Sequence, residues 1–432
     1  VTVVDNGDGT LTATAVYGDA GNEFVNTYTA APVEASLVGK KNLLVPNGLT
    51  PADITGKFTF TVTGEEGAPM PANASVTNDA KGKVDFGKIT FTLDDLNKAL
   101  GKKPEKREHT FTYTVTESGE VAGVTNDVEP SRTVSFTVTD DGEGNLRVSS
   151  KSDGNAAFTF TNTYNVTPVE THVTDEIKAT KVLTGRDLKE GEFSFELVEG
   201  NDVVATGTNA ADGKITMGAV KYTEAGKHTY TLREVKGNAG GITYSDAKFT
   251  IQTTITDNGD GTLEAKHVLK DADEAKFSNS YKPGSKESSV TDQITAAKSL
   301  DGRDLKAGEF RFELVEGNSV VSTGTNNADG KIVMDSVTYT AAGEHTYTLR
   351  ETKASTTENG ITYSTAEYTI VTIVKDNGDG TLSVEHKLQN VDEAIFENTY
   401  TVTPKSSIVT DQIKATKSLT GRDLKEGEFS FE

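Results

Sequence analysis

The chain has 432 residues, neither cysteine nor tryptophan, and a formal net charge of −22. Its length exceeds what one hydrophobic core supports and suits three or four domains, while the missing thiols exclude disulfides, thiolate metal sites, thiol nucleophiles and thioesters. The acidic balance argues against nucleic acid and anionic membranes, whose contacts rest on clustered Lys and Arg, and no apolar run is long enough to insert across a bilayer.

Short alternating runs rich in Thr and Val, punctuated by Gly and Asp, predict an all-β chain. Residues 1–30 open without a signal peptide. They end in F-V-N-T-Y at 24–28, which matches the closing strand of later repeats, so they read as the C-terminal fragment of an upstream repeat.

Residues 31–168 predict a first complete domain. Lys41 lies in phase with Leu37 and Leu43 and is preferred over its neighbour Lys40; Glu117 closes Y-T-V-T-E, and Asn162 sits in F-T-N-T-Y. An insertion spans Gly64–Glu108, within which L-D-D-L-N-K-A-L at 93–100 predicts a short helix capped by Thr92 or Asp94.

Residues 169–285 and 286–404 predict two closely similar repeats, with Lys181, Glu234 and Asn279 in one and Lys298, Glu351 and Asn398 in the other. Residues 405–432 restart the pattern at Lys417, as the N-terminal fragment of a further repeat. Asn26 and Lys417 match the pattern, with partners expected outside this chain. Lysine and glutamate are 76 residues apart in the first domain (41 to 117) and 53 in the second (181 to 234), which reflects the insertion. Units of this size bury their own cores, and the short linkers between them predict an extended, semi-rigid rod.

Strand side chains alternate faces, so Ile177, Ala179, Lys181 and Leu183 share one side, as do Tyr230, Leu232 and Glu234, and Phe277, Asn279 and Tyr281. All three polar groups are therefore expected in the core. Unpaired, each buried ion costs several kcal/mol. Desolvation lowers the pKa of the lysine and raises that of the glutamate, making a neutral amine beside a protonated acid accessible. Such an amine can attack the asparagine amide, with the acid bonding the amide carbonyl and relaying protons to departing ammonia. The product is a Lys–Asn isopeptide bond, formed once. An ordinary hydrogen-bonded polar cluster is the alternative.

The pattern K-x-L-x-G, Y-T-L-x-E and F-x-N-x-Y resembles the pilin isopeptide-linkage repeat of Gram-positive surface proteins, the family that includes streptococcal major pilins. The resemblance covers nearly the whole chain and is weakest in the first domain. It implies tandem immunoglobulin-like (CnaB-type) β-sandwiches whose first and last strands are joined by the triads Lys41–Glu117–Asn162, Lys181–Glu234–Asn279 and Lys298–Glu351–Asn398. It also implies an extracellular, cell-wall-anchored stalk with neighbouring repeats as partners; no cofactor is expected, and with no G-x-S-x-G, phosphate-loop or zinc motif in the sequence, neither is turnover catalysis. The rival expectation is a ligand-binding adhesin whose first domain recognises a host protein or glycan.

Other signals read as structural. D-N-G-D-G-T-L at 5–11, 257–263 and 376–382, with D-D-G-E-G-N-L at 140–146, lacks the alternating oxygen ligands of a calcium loop and predicts hairpin turns. No metal site is expected. His267 and His386 are repeat equivalents, and a surface strand position explains them as well as any ligand role. Arg186 and Arg303, in the polar turn T/D-G-R-D-L-K, are placed to pair with nearby carboxylates.

Overall fold

The computed structural model describes residues 1–18, 23–101, 107–150, 157–407 and 413–432. Within them lie three separate hydrophobic cores in tandem, centred on Phe60, Phe111 and Phe160, on Phe195, Leu232 and Phe277, and on Phe312, Leu349 and Phe396. Each core is enclosed by two β-sheets, giving three successive β-sandwiches.

The second and third domains share one topology. In the second, a six-stranded antiparallel sheet runs in the order 215–217, 202–209, 194–199, 226–234, 248–257, 263–269, facing a small sheet of 179–184, 275–281 and 242–243. The first and last long strands are adjacent and parallel, with Lys181 opposite Phe277 and Leu183 opposite Asn279. The third domain repeats that register, with Lys298 opposite Phe396 and Leu300 opposite Asn398.

The first domain keeps the parallel pair, Lys41 opposite Phe160 and Leu43 opposite Asn162, but its insertion changes the sheet around it. The strand Lys83–Phe91 pairs antiparallel with Val33–Leu44 and covers its outer edge. The predicted helix spans Leu93–Leu100. Thr92 is the cap: its hydroxyl accepts from the Asp95 amide, and Asp95 accepts in return from the Thr92 backbone. Part of the expected insertion, residues 102–106, lies outside the described residues, as do 408–412 of the expected C-terminal fragment.

The D-N-G-D-G segments form tight hairpin turns. In one, Asp257 Oδ1 accepts from the Gly259 amide at 2.9 Å, and Gly259 and Gly261 take φ of +79° and +85°. Arg186 and Arg303 pair with Glu192 and Glu309 in the polar turn after the first strand.

One expectation is corrected. His267 and His386 are buried, because residues 169–171 and 286–288, each followed by a single 3₁₀ turn, fold over the strands that carry them. Nδ1 of each ring pairs with a threonine hydroxyl, Thr253 or Thr372, at 2.8 Å. The covering segment supplies the other contact, Thr171 in one domain and Ser288 in the other.

Candidate functional site

In each domain the parallel strand pair delivers the lysine and the asparagine to the same interior face, two residues out of register. The opposing sheet delivers the glutamate, since Glu117, Glu234 and Glu351 lie opposite Phe60, Phe195 and Phe312. All nine side chains are buried, none more than 7% exposed, whereas Lys40 is exposed. Phase alone thus separates Lys41 from its neighbour.

The second domain holds the most compact arrangement. Lys181 Nζ lies 2.8 Å from Glu234 Oε1, and Asn279 Nδ2 donates to that same oxygen at 2.8 Å. One carboxylate oxygen therefore touches both nitrogens. The amine makes no aligned hydrogen bond. The Asn279 carbonyl accepts the Ser245 backbone N–H at 2.7 Å, and because an amide N–H can only donate, this contact fixes which end of the side chain is oxygen.

The third domain repeats the glutamate–asparagine bond, Asn398 Nδ2 to Glu351 Oε1 at 2.9 Å, and the backbone donor, Ser364 N–H to Asn398 Oδ1 at 2.7 Å. Its lysine stands 3.7 Å from Glu351 and donates instead to the Phe396 carbonyl at 3.1 Å. The first domain differs in the opposite sense. Lys41 contacts Glu117 at 2.5 Å, but Asn162 turns its amide to Asn126 Oδ1 at 3.1 Å, with its carbonyl on the Asp127 N–H at 2.8 Å. Asp127 is held there by Arg132, at 2.8 Å.

Burial lowers the pKa of Lys41 and Lys181, and brings that of Lys298 down to about 8. Burial likewise raises Glu117 and Glu351 above the usual carboxylate range. An aromatic ring lies against each amine: Phe58, Phe193 and Phe310 have their centroids 4.6, 4.3 and 4.6 Å from the respective Nζ. These rings exclude water while offering a weakly attractive face.

Sequence reasoning assigns the acid to the amide carbonyl; in the second and third domains it instead contacts the amide nitrogen, and a backbone N–H occupies the carbonyl. Two supporting groups were also missed. Buried Asn209 accepts from the Phe193 amide at 2.8 Å and donates to the Lys189 carbonyl at 2.8 Å, fixing the ring beside Lys181; Asn326 does the same for Phe310. The Lys181 backbone N–H is held at 2.7 Å by the carbonyl of Gly213, whose φ is +89° and where a Cβ would fall 2.3 Å from the Lys181 carbonyl. Gly82 and Gly330 grip Lys41 and Lys298 alike. Asn26 and Lys417 are exposed and are not brought into any triad; Lys417 lies over Phe429 at 4.6 Å. No cluster of metal-ligating side chains occurs among the described residues.

The family model described as FctA, the Spy0128-like isopeptide containing domain, matches residues 37–165, 177–282 and 294–401. Among solved structures, the chain is similar to two B repeat units of the collagen binding protein of Staphylococcus aureus, at 17% identity over 85% of this chain and 76% of that one, TM-score 0.22. It is also similar to the major pilin of Streptococcus pyogenes, at 17% identity over 57% and 98% of the two chains, TM-score 0.20. The T-13 major pilin of the same organism aligns at 17% identity over 54% and 97%, TM-score 0.19. No curated protein matches the chain.

Proposed function

Because the chain belongs to the family of Spy0128-like isopeptide containing domains, we propose that each of its three domains closes its own Lys–Asn cross-link and that together they form the stalk of a pilus or adhesin on a Gram-positive cell surface. The observation that carries this reading is the shared Glu234 oxygen, 2.8 Å from the lysine amine and 2.8 Å from the asparagine amide nitrogen.

The reaction is a transamidation. The neutral Lys181 amine attacks Asn279 Cγ, and the charge that develops on Oδ1 meets the Ser245 N–H already in place. Glu234 then moves a proton from the attacking nitrogen to the departing one, the Cγ–Nδ2 bond breaks, and ammonia leaves. A secondary amide joins the two strands. No external oxidant or cofactor enters the balance, and preorganisation supplies most of the acceleration. Since the product cannot turn over, the chemistry is a maturation step.

The parallel first and last strands give the bond its mechanical value. Tension arriving at Lys181 passes through the amide to Asn279 and onward into the next linker, so the intervening fold carries none of it. In the entropic treatment of cross-links, closing a loop of about 100 residues also stabilises the fold by about 4–5 kcal/mol. The partners on this reading are neighbouring repeats and, through other parts of the parent protein, the cell wall.

Intact mass under denaturing conditions tests the proposal. The parent should lack one ammonia per complete domain, three in all, and Glu234→Ala should retain one of them. A parent with the mass of its unmodified sequence would overturn the reading.

A further inference from the structure

The D-N-G-D-G turns have a second feature that hairpin chemistry does not require. Tyr281, which closes the F-x-N-x-Y strand of the second domain, donates its hydroxyl to Asp376 Oδ1 in the turn of the third domain at 2.6 Å. The same oxygen atom of the tyrosine accepts the Gly380 N–H at 3.1 Å. Three residues on, the Gly284 amide donates to the Gly380 carbonyl at 2.9 Å.

These three bonds recur at the other two junctions. Tyr164 donates to Asp257 at 2.7 Å and accepts from Gly261 at 3.0 Å, and Thr167 N–H reaches the Gly261 carbonyl at 2.8 Å. Tyr28 donates to Asp140 at 2.8 Å and accepts from Gly144 at 2.9 Å, and Ala31 N–H reaches the Gly144 carbonyl at 3.0 Å. The first and fifth positions of the turn thus do the same work each time. The fifth must be glycine: its φ is +92°, +85° or +89°, and at Gly380 a Cβ would lie 2.3 Å from the Gly240 carbonyl carbon of the preceding domain.

We propose that the D-x-G-x-G turn is a socket for the terminal tyrosine of the preceding repeat, and that this joint fixes the orientation of each domain on the next. The partner it fits is a segment of this same repeat, an F-x-N-x-Y strand end followed by three linker residues, the last of which donates its backbone N–H to the turn. A turn alone would need the aspartate only for its own amides, as Asp376 serves Gly378 at 2.8 Å; the tyrosine occupies the remaining capacity of that oxygen. Tyr281 is two residues beyond Asn279, so the strand end that docks in the socket is the one whose interior side chain faces Lys181. Arg186 stacks on the ring from its own domain, 4.8 Å from the centroid, holding the hydroxyl toward the socket. The Asp5 turn has the same internal bond, Gly7 N–H to Asp5 Oδ1 at 2.9 Å, with Gly9 at φ +86°, and presents the same receptor shape.

The absence of native cysteine makes the joint measurable in the full chain. Spin labels at Asp202→Cys and Ser319→Cys, both exposed and on matching hairpins of the second and third domains, report the interdomain distance by double electron–electron resonance. The parent should give one narrow distribution. Tyr281→Phe, which removes only the hydroxyl, and Asp376→Ala, which empties the socket from the other side, should each broaden it, while Tyr164→Phe, at the preceding junction, should leave it unchanged. A broad distribution in the parent, or narrow ones in both Tyr281→Phe and Asp376→Ala, overturns the proposal. The outcome does not depend on whether the cross-links form.

Discussion

Ser245 presents its backbone N–H to the side-chain carbonyl of Asn279 at 2.7 Å. Ser364 and Asn398 repeat the contact at 2.7 Å, and Asp127 and Asn162 at 2.8 Å. It is a feature of the site that all three domains keep, even where the asparagine amide has turned to a different acceptor. A donor already aimed at the carbonyl needs no reorganisation when negative charge appears there.

Ser245→Pro deletes that donor and should slow cross-linking in the second domain by about 10²–10³-fold, the usual effect of losing one oxyanion contact. Ser245→Ala keeps the N–H and should mature at the parental rate. Ammonia loss followed by mass, after chain that is unfolded and not yet cross-linked is diluted from denaturant, measures both. Equal rates for the two variants would remove the backbone amide from the mechanism.

The lysine, glutamate and asparagine are legible in the sequence because period-two alternation places polar groups where only apolar side chains belong, and three repeats make the coincidence visible. Their supports are not legible. The Ser245 amide has no side-chain signature, and Gly213 looks like any turn glycine until the Lys181 carbonyl is seen against it. His267 is misread for a related reason: the segment covering it contributes Thr171, 96 residues away in sequence, and carries no alternation of its own. The tyrosine sockets are hidden more thoroughly, since each half is fully explained within its own domain as a strand end or a hairpin turn. In the first domain the insertion announces itself by spacing, but nothing in the sequence indicates that Asn162 will bond Asn126.

The pH dependence of maturation should be a plateau with an upper edge near the lysine pKa. The reactive pair, neutral amine and protonated acid, contains the same number of protons as the ion pair, so interconverting them neither releases nor consumes a proton. The rate is therefore constant wherever the pair holds one proton. It falls on the alkaline side as that proton is lost, above about 8 in the third domain, where burial sets Lys298. It falls on the acid side when a second proton arrives, at a point raised above the usual carboxylate range by burial of Glu351. Chain recovered unfolded and not yet cross-linked, then diluted from denaturant into buffers of graded pH with ammonia loss read by mass, traces the profile. A rate that kept climbing well above pH 8 would show that the free amine alone limits the reaction and that Glu351 need not carry a proton.

Buried His267 and His386 should make the second and third domains sensitive to mild acid. Burial lowers both pKa values below the ordinary 6.5, against weaker opposing pulls from Glu176 and Asp175 on one and Asp292 on the other. A depressed folded-state pKa means that the unfolded chain takes up the proton first as pH falls. The stability contributed by the neutral rings is therefore fully present above about 6.5 and is lost progressively as pH drops through their lower folded values. Two buried imidazoles act in this window, well above the range where ordinary carboxylates titrate. Denaturant unfolding at pH 7 and pH 5 should show the loss, and the double variant His267→Gln with His386→Gln should flatten it. Glutamine can still bond Thr253 and Thr372 but has no proton to gain, so the variant separates titration from packing. An unchanged pH slope in the double variant would assign acid sensitivity to other groups.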